Sequence, residues 1–199
     1  MAKAPAPGRL RRTLAAVVVL AVVTSCATGV PAASAPQPVN PAPVVVEAPV
    51  LGPADPVPVP TDPPVLTITG RIGATNGANA LSLDPATLDR LGRMRVTVFE
   101  PWIKQTMNFQ GVWLSDLLEL ARPDPAARTL HLTALDDYKI DLAVADVRAG
   151  GVLLATRTGD GAPIGVEDGG PIRIVYAGGV RAGASADQWI WSLASIDVR

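Results

Sequence analysis

Proline placement constrains this chain more than any other feature. Fourteen of its 20 prolines precede Val65, and only six follow. Each proline fixes φ and removes a backbone donor, so the first third cannot supply interior strands or helices. Any core must be built from residues 65–199, which are enough for one domain. The chain accordingly reads as three segments.

Residues 1–26 read as an export signal. Lys3, Arg9, Arg11 and Arg12 make a basic start, and Leu14 to Val23 is an apolar run too short to span a bilayer as a helix. The run ends in Val23-Thr24-Ser25-Cys26, which resembles the lipobox of bacterial lipoproteins and makes Cys26 the expected lipidation site. The alternative is an ordinary secretory signal cleaved near Ala33 or Ala35. Acyl chains on Cys26 imply a membrane anchor, each buried methylene adding ~0.8 kcal/mol. Arg11-Arg12 resembles half of a twin-arginine signal and equally suits an arginine-rich start for the general secretory route. The expected location is the extracytoplasmic side of a membrane, as a periplasmic or cell-surface lipoprotein.

Residues 27–64 read as a disordered Pro/Ala-rich tether with polyproline II character. At ~3.1 Å per residue it reaches roughly 110 Å from the anchor.

In residues 65–199 the pattern becomes ordinary. Val65 to Thr69 and Arg93 to Phe99 alternate as strands do. Asp84-Pro85 starts a helix, and Trp113 to Ala121 carries an amphipathic one that closes before Pro123. Further strands are expected at Thr129 to Ala134, Tyr138 to Leu142, Val152 to Arg157, Ile172 to Tyr176 and Gln188 to Val198, with a turn at Gly159-Asp160-Gly161. The fold class is α+β, a strand-dominated mixed sheet with two short helices.

Several chemistries are excluded. A net charge of −1 leaves no basic field for a nucleic-acid backbone. One Cys and one His rule out a disulfide, a thiolate zinc site and a His-rich cage, so no protein-ligated metal is expected. No G-x-S-x-G elbow accompanies His131, and no G-x-G-x-x-G follows a strand. Asp136, Asp137, Asp141 and Asp160 suit turns and solvated strand edges better than glycosidase chemistry. By contrast, all eight aromatic residues lie in the last segment, beside the turns Asp160-Gly-Ala-Pro163 and Asp168-Gly-Gly-Pro171.

The order of motifs then matters. Glu100-Pro-Trp-Ile103 and Phe109-Gln-Gly-Val-Trp-Leu-Ser-Asp-Leu-Leu118 are followed by Leu135-Asp-Asp-Tyr-Lys-Ile-Asp-Leu142 and Val152-Leu-Leu-Ala155. Asp160-Gly-Ala-Pro-Ile164, Gly169-Gly-Pro-Ile-Arg173 and Gln188-Trp189 complete the series. This succession resembles the molybdopterin-binding domain of sulfite-oxidase-type oxidoreductases, and in particular a reduced, exported bacterial branch. The resemblance implies that fold and a molybdopterin-type pterin as the candidate cofactor. It also implies a metal-binding Cys before the F-x-G motif, where this chain reads Arg95 to Trp102 without one. Asp168 and Gln188 stand where the enzymes carry His and Lys toward the cofactor phosphate, and Asp168 would repel it. Arg173 keeps a position suited to phosphate or carboxylate. Tyr138 matches an active-site tyrosine, the catalytic candidate if the protein is an enzyme.

Tyr138, Arg173, Gln188, Trp102 and Asp137 are therefore the candidate ligand set. Three functions remain open. One is a tethered module that binds a small anionic or pterin-type ligand or an envelope partner. Another is a pterin- and molybdenum-dependent oxidoreductase, and the third is a structural envelope protein. A pocket lined by Tyr138 and Arg173 separates the first two from the third.

Overall fold

The computed structural model describes residues 41–177 and 185–199. The export signal, Cys26, Arg11-Arg12 and the start of the tether lie outside the described residues. Among the described residues no helix is long and apolar enough to cross a membrane.

In chain order the elements are β1 (Val44–Glu47), β2 (Leu66–Gly70), β3 (Leu81–Leu83), α1 (Pro85–Asp89), β4 (Arg93–Glu100) and β5 (Gln105–Trp113). There follow α2 (Leu114–Ala121), β6 (Thr129–Ala134), β7 (Lys139–Ala143), α3 (Val144–Arg148), β8 (Val152–Thr158), β9 (Arg173–Tyr176) and β10 (Leu193–Val198). Short 3₁₀ turns occupy Val166–Asp168 and Ala186–Gln188.

The strands form two five-stranded sheets, ordered β1-β4-β5-β8-β9 and β3-β2-β10-β6-β7. The first is antiparallel throughout, whereas β10 runs parallel to β2 and antiparallel to β6 in the second. Alternation appears where one face is covered: β6 buries Leu130, Leu132 and Ala134, while His131 faces outward and bonds Asp141 across the β6–β7 pair at 2.6 Å. Residues from both sheets and all three α-helices meet in one core. The α+β class stands, and α3 adds a third helix to the two expected.

Local chemistry sets the helix ends. The Asp84 carboxylate accepts from the Thr87 backbone N–H at 2.8 Å and Pro85 opens α1, the arrangement that Asp-Pro encodes. Burial alone would raise the pKa of Asp84. Hydrogen bonds from the Thr87 side chain and from the backbone of Thr87, Thr61 and Asp62 outweigh that and bring it down to about 2. Helix α2 ends at Arg122 in the left-handed conformation, directly before Pro123.

Two expectations need correction. The ordered domain begins well before Val65. Val44–Glu47 pairs with β4, Leu51 is buried in the core, and the Arg122 guanidinium donates to the carbonyls of Pro53 and Asp55. Asn76 Nδ2 likewise donates to Pro58 O at 2.7 Å. The β-branched run Val44-Val45-Val46 contains no proline, so it can dock on the free edge of β4 through its main chain alone. Its side chains stay exposed, which is why no alternation marks it. The last strand also starts later than Gln188: Ala186–Gln188 is a 3₁₀ turn, and regular pairing with β6 begins at Leu193.

Candidate functional site

Two adjoining structures lie where the first sheet meets the C-terminal segment. One is a closed ion pair, the other an open cleft.

Strand β4 ends by pointing Glu100 inward, and β9 begins by pointing Arg173 at it. Glu100 Oε1 and Arg173 Nη2 are 2.7 Å apart, and both side chains are essentially excluded from solvent (0% and 2% exposed). The other oxygen of Glu100 accepts the Ile103 backbone N–H, which folds the turn after β4 around the carboxylate. Arg173 Nη1 donates to Asp168 O at 3.1 Å. The guanidinium carbon lies 4.1 Å from the centre of the Trp191 ring and 5.2 Å from that of Phe109. Burial pushes the guanidinium below its ordinary pKa, while the nearby charges of Glu100 and Asp168 hold it up. The cation is thus enclosed by one carboxylate, one carbonyl and two rings.

The family-like motifs build this enclosure. In Phe109-Gln110-Gly111, Phe109 lies under the guanidinium and Gln110 Nε2 donates to Gly159 O at 2.9 Å. A Cβ at Gly111 would sit 1.9 Å from Leu154 O, so only glycine lets β5 and β8 approach there. At Gly169, φ is +84° and a Cβ would lie 2.6 Å from the Trp191 ring. That glycine lets the turn after Val166–Asp168 close against the tryptophan.

The cleft has a volume of about 400 Å³. Three tryptophans (Trp102, Trp189, Trp191), Tyr138 and the carboxylates of Asp136 and Asp187 line it. Trp102 Nε1 donates to Ala186 O at 3.1 Å, and the Tyr138 hydroxyl donates to Asp187 O at 3.0 Å. These bonds anchor two largely exposed rings (56% and 44%) to the 3₁₀ turn. Asp136 Oδ1 accepts the Tyr138 backbone N–H at 3.1 Å, placing its carboxylate at the start of the same rim. Trp189 is buried against Tyr176, with ring centres 5.8 Å apart. Burial raises the Tyr176 hydroxyl to about 12, with the charges of Asp146 and Asp187 adding to the effect.

The structure divides the expected ligand set. Trp102 and Tyr138 share the cleft, so the pocket expected to separate a binding role from a purely structural one is present with Tyr138 but without Arg173. Arg173 does not line it, because Glu100 already holds its guanidinium inside. Gln188 Oε1 accepts the Ser185 backbone N–H at 3.3 Å and closes a capping box, so its amide serves the turn. Asp137 occupies the left-handed turn position between β6 and β7, with φ at +66°, and its neighbour Asp136 faces the cleft instead. Sequence reasoning does not assign Asp136, Asp187, Trp189 and Trp191 to a site, nor Glu100 to Arg173. The only signals are aromatic density and a carboxylate beside the Pro-Trp turn.

Two five-stranded sheets around one core, with a buried arginine set behind a Trp/Tyr cleft, define an α+β scaffold with an open aromatic pocket. The family profile described as "Oxidoreductase molybdopterin binding domain" matches residues 86–198, and the chain belongs to that family. No curated protein matches it. Among solved structures it is similar in fold to the sulfane dehydrogenase SoxCD from Paracoccus pantotrophus, with a TM-score of 0.53 and 20% identity. The match covers 67% of this chain and 37% of that one, so this chain spans much less than the length of that relative.

Among the described residues, the site does not fit a thiolate-bound molybdenum. The matched region contains no cysteine, and the chain's one thiol is Cys26. A soft thiolate ligand is therefore missing. Arg173, whose position the resemblance assigns to phosphate, is paired with Glu100, and Asp136 and Asp187 are among the residues that line the open cleft.

Proposed function

We propose that the protein is a lipid-anchored binding member of the family, exported from the cytoplasm, and that its ligand site is the aromatic cleft. The observation that carries this reading is the buried Glu100–Arg173 pair, in which the arginine of the G-x-P-x-R motif already holds an internal anion. A redox role of the family's kind would need a thiolate metal ligand, which the matched region lacks, and the motif arginine free for phosphate, which Glu100 occupies. Export and anchoring rest on the basic start, the short apolar run and the Val23-to-Cys26 lipobox. With the domain beginning at Val44, the spacer shortens to residues 27–43, a reach of roughly 50 Å when extended. The cleft would then work close to the membrane surface.

The deciding experiment is metal analysis and pterin fluorescence on the protein purified from its own membranes in a cofactor-producing host. The expected result is neither molybdenum nor pterin above background. Stoichiometric amounts of both would overturn the reading and make the protein an oxidoreductase. In the same host, Cys26→Ala should move the protein from the membrane to the soluble extracytoplasmic fraction; unchanged membrane retention would remove the anchor.

A further inference from the structure

We infer that the cleft binds an organic cation, a substituted ammonium or guanidinium group received on the tryptophan and tyrosine rings between Asp136 and Asp187. This rests on the cleft being the ligand site, and it reverses the anionic ligand expected from sequence.

A ligand entering the cleft meets donors that are already engaged or closed off. Trp102 Nε1 and the Tyr138 hydroxyl are held by the carbonyls of Ala186 and Asp187. The Nε1 atoms of Trp189 and Trp191 are buried in the walls, without partners. What remains open is the π surface of the exposed Trp102 and Tyr138 rings and the exposed side chains of Asp136 and Asp187. One oxygen of Asp136 is held by the Tyr138 N–H, and no cationic side chain lines the cleft among the described residues. Among the described lining residues an anion would meet two acidic side chains and no free donor. A cation would find ring quadrupoles and opposite charge together, the pairing that recognises quaternary ammonium groups elsewhere. The protein already uses this chemistry once on one of the same rings, since the Arg173 guanidinium lies 4.1 Å from the Trp191 centre. At about 400 Å³ the cleft falls within the ~300–1,000 Å³ range of small-molecule sites.

The test is a tryptophan-fluorescence and calorimetric titration of the full chain with choline, with its uncharged isostere 3,3-dimethylbutan-1-ol, and with sulfate. Choline should bind at least tenfold more tightly than the isostere, and sulfate should not bind. Free quaternary ammonium and a side-chain guanidinium share this chemistry, so N-acetyl-arginine amide is titrated in parallel, and the tighter of the two names the source. The pair Asp136→Asn and Asp187→Asn should reduce the preference for cation over isostere about fivefold or more, while isostere affinity stays unchanged. Both carboxylates are exposed, and the amide oxygen introduced by Asp136→Asn can still accept the Tyr138 backbone N–H, so the thermal midpoint should not move. Equal affinity for choline and its isostere, no binding of either cation, or tighter sulfate binding would each overturn the proposal. Such a failure in protein free of molybdenum and pterin leaves the binding role with another ligand. Finding those cofactors overturns the role itself, whatever choline does.

Discussion

Replacing Glu100 with alanine should be among the most damaging single changes available in this domain. The carboxylate is the only anionic side chain within hydrogen-bond reach of Arg173 among the described residues, at 2.7 Å, and neither partner reaches water. In Glu100→Ala the guanidinium keeps Asp168 O and two aromatic faces, and loses its counter-charge in a site it cannot leave. Breaking a buried pair from one side costs about 3–5 kcal/mol, because an uncompensated charge stays behind. For a domain of this size each kcal/mol moves the midpoint by about 2–4 °C, so a fall of roughly 10–15 °C is expected. Arg173→Met should cost a similar amount from the other side. The double change Glu100→Leu with Arg173→Met removes both charges and fills the space, and it should recover most of the loss, since apolar replacement of a buried pair is often close to neutral. Urea denaturation with a shared m-value would give the three free energies, and adding Glu100→Leu alone closes the double-mutant cycle that gives the coupling. If Glu100→Ala lies within about 1 kcal/mol of the parent, Arg173 is not neutralised by Glu100 and the reasoning about the site fails.

Other outcomes follow from single features. Asp84 titrates at about 2 when folded, below the ordinary 3.8, so its contribution is full above pH ~4 and disappears as pH falls toward 2. Measured against Asp84→Asn in urea from about pH 2 to 6, the parent should lose about 1–2 kcal/mol more across that window; parallel curves would refute the role. Gly169→Ala should cost about 2–4 kcal/mol, combining a left-handed backbone with overlap on Trp191, and near-normal stability would mean the turn is free to shift. A truncation beginning at Val65 removes β1 and Leu51, and should lower the midpoint and promote association through the bared β4 edge on size-exclusion chromatography. Trp102→Ala should leave stability within about 0.5 kcal/mol, because the ring is exposed, while abolishing choline quenching.

How much of this is legible in the sequence depends on whether burial leaves a periodic mark. Strands β2, β4, β6 and β7 and helix α2 carry apolar residues at the spacing of a covered face, β8 shows as a short apolar run buried on both sides, and each can be read to within a residue or two. Strand β1 leaves no such mark, because it binds through its main chain and exposes every side chain. Strand β3 has only three residues and α3 only five, too few for a period. The first half of β5, Gln105 to Asn108, is largely exposed and polar, so the segment shows as a motif and not as a strand. The site divides similarly. Trp102 and Tyr138 stand out as rare aromatics within family-like motifs. The Glu100–Arg173 bond joins residues 73 apart, and nothing local to either side chain announces the other.

That long-range bond explains how the motifs can be present while the metal ligand is not. A buried arginine needs an anion, and in a cofactor-binding scaffold the cofactor can be that anion. With no thiolate to hold a metal and an acidic residue at Asp168, an empty arginine would be an uncompensated charge in the core, which a domain of marginal stability cannot carry. Glu100 removes the problem from within the chain. Phe109, Gly169 and Trp191 then serve to pack around the cation. Family-like sequence at these positions therefore has a structural use in the ion pair, whether or not a cofactor binds elsewhere in the domain. The chemistry open to solvent has shifted outward to Trp102, Tyr138, Asp136 and Asp187, where no internal partner neutralises the carboxylate of Asp187 among the described residues. On the proposed cationic reading, a ligand that binds there suits acceptors and rings, so a screen should carry ammonium and guanidinium compounds beside oxyanions.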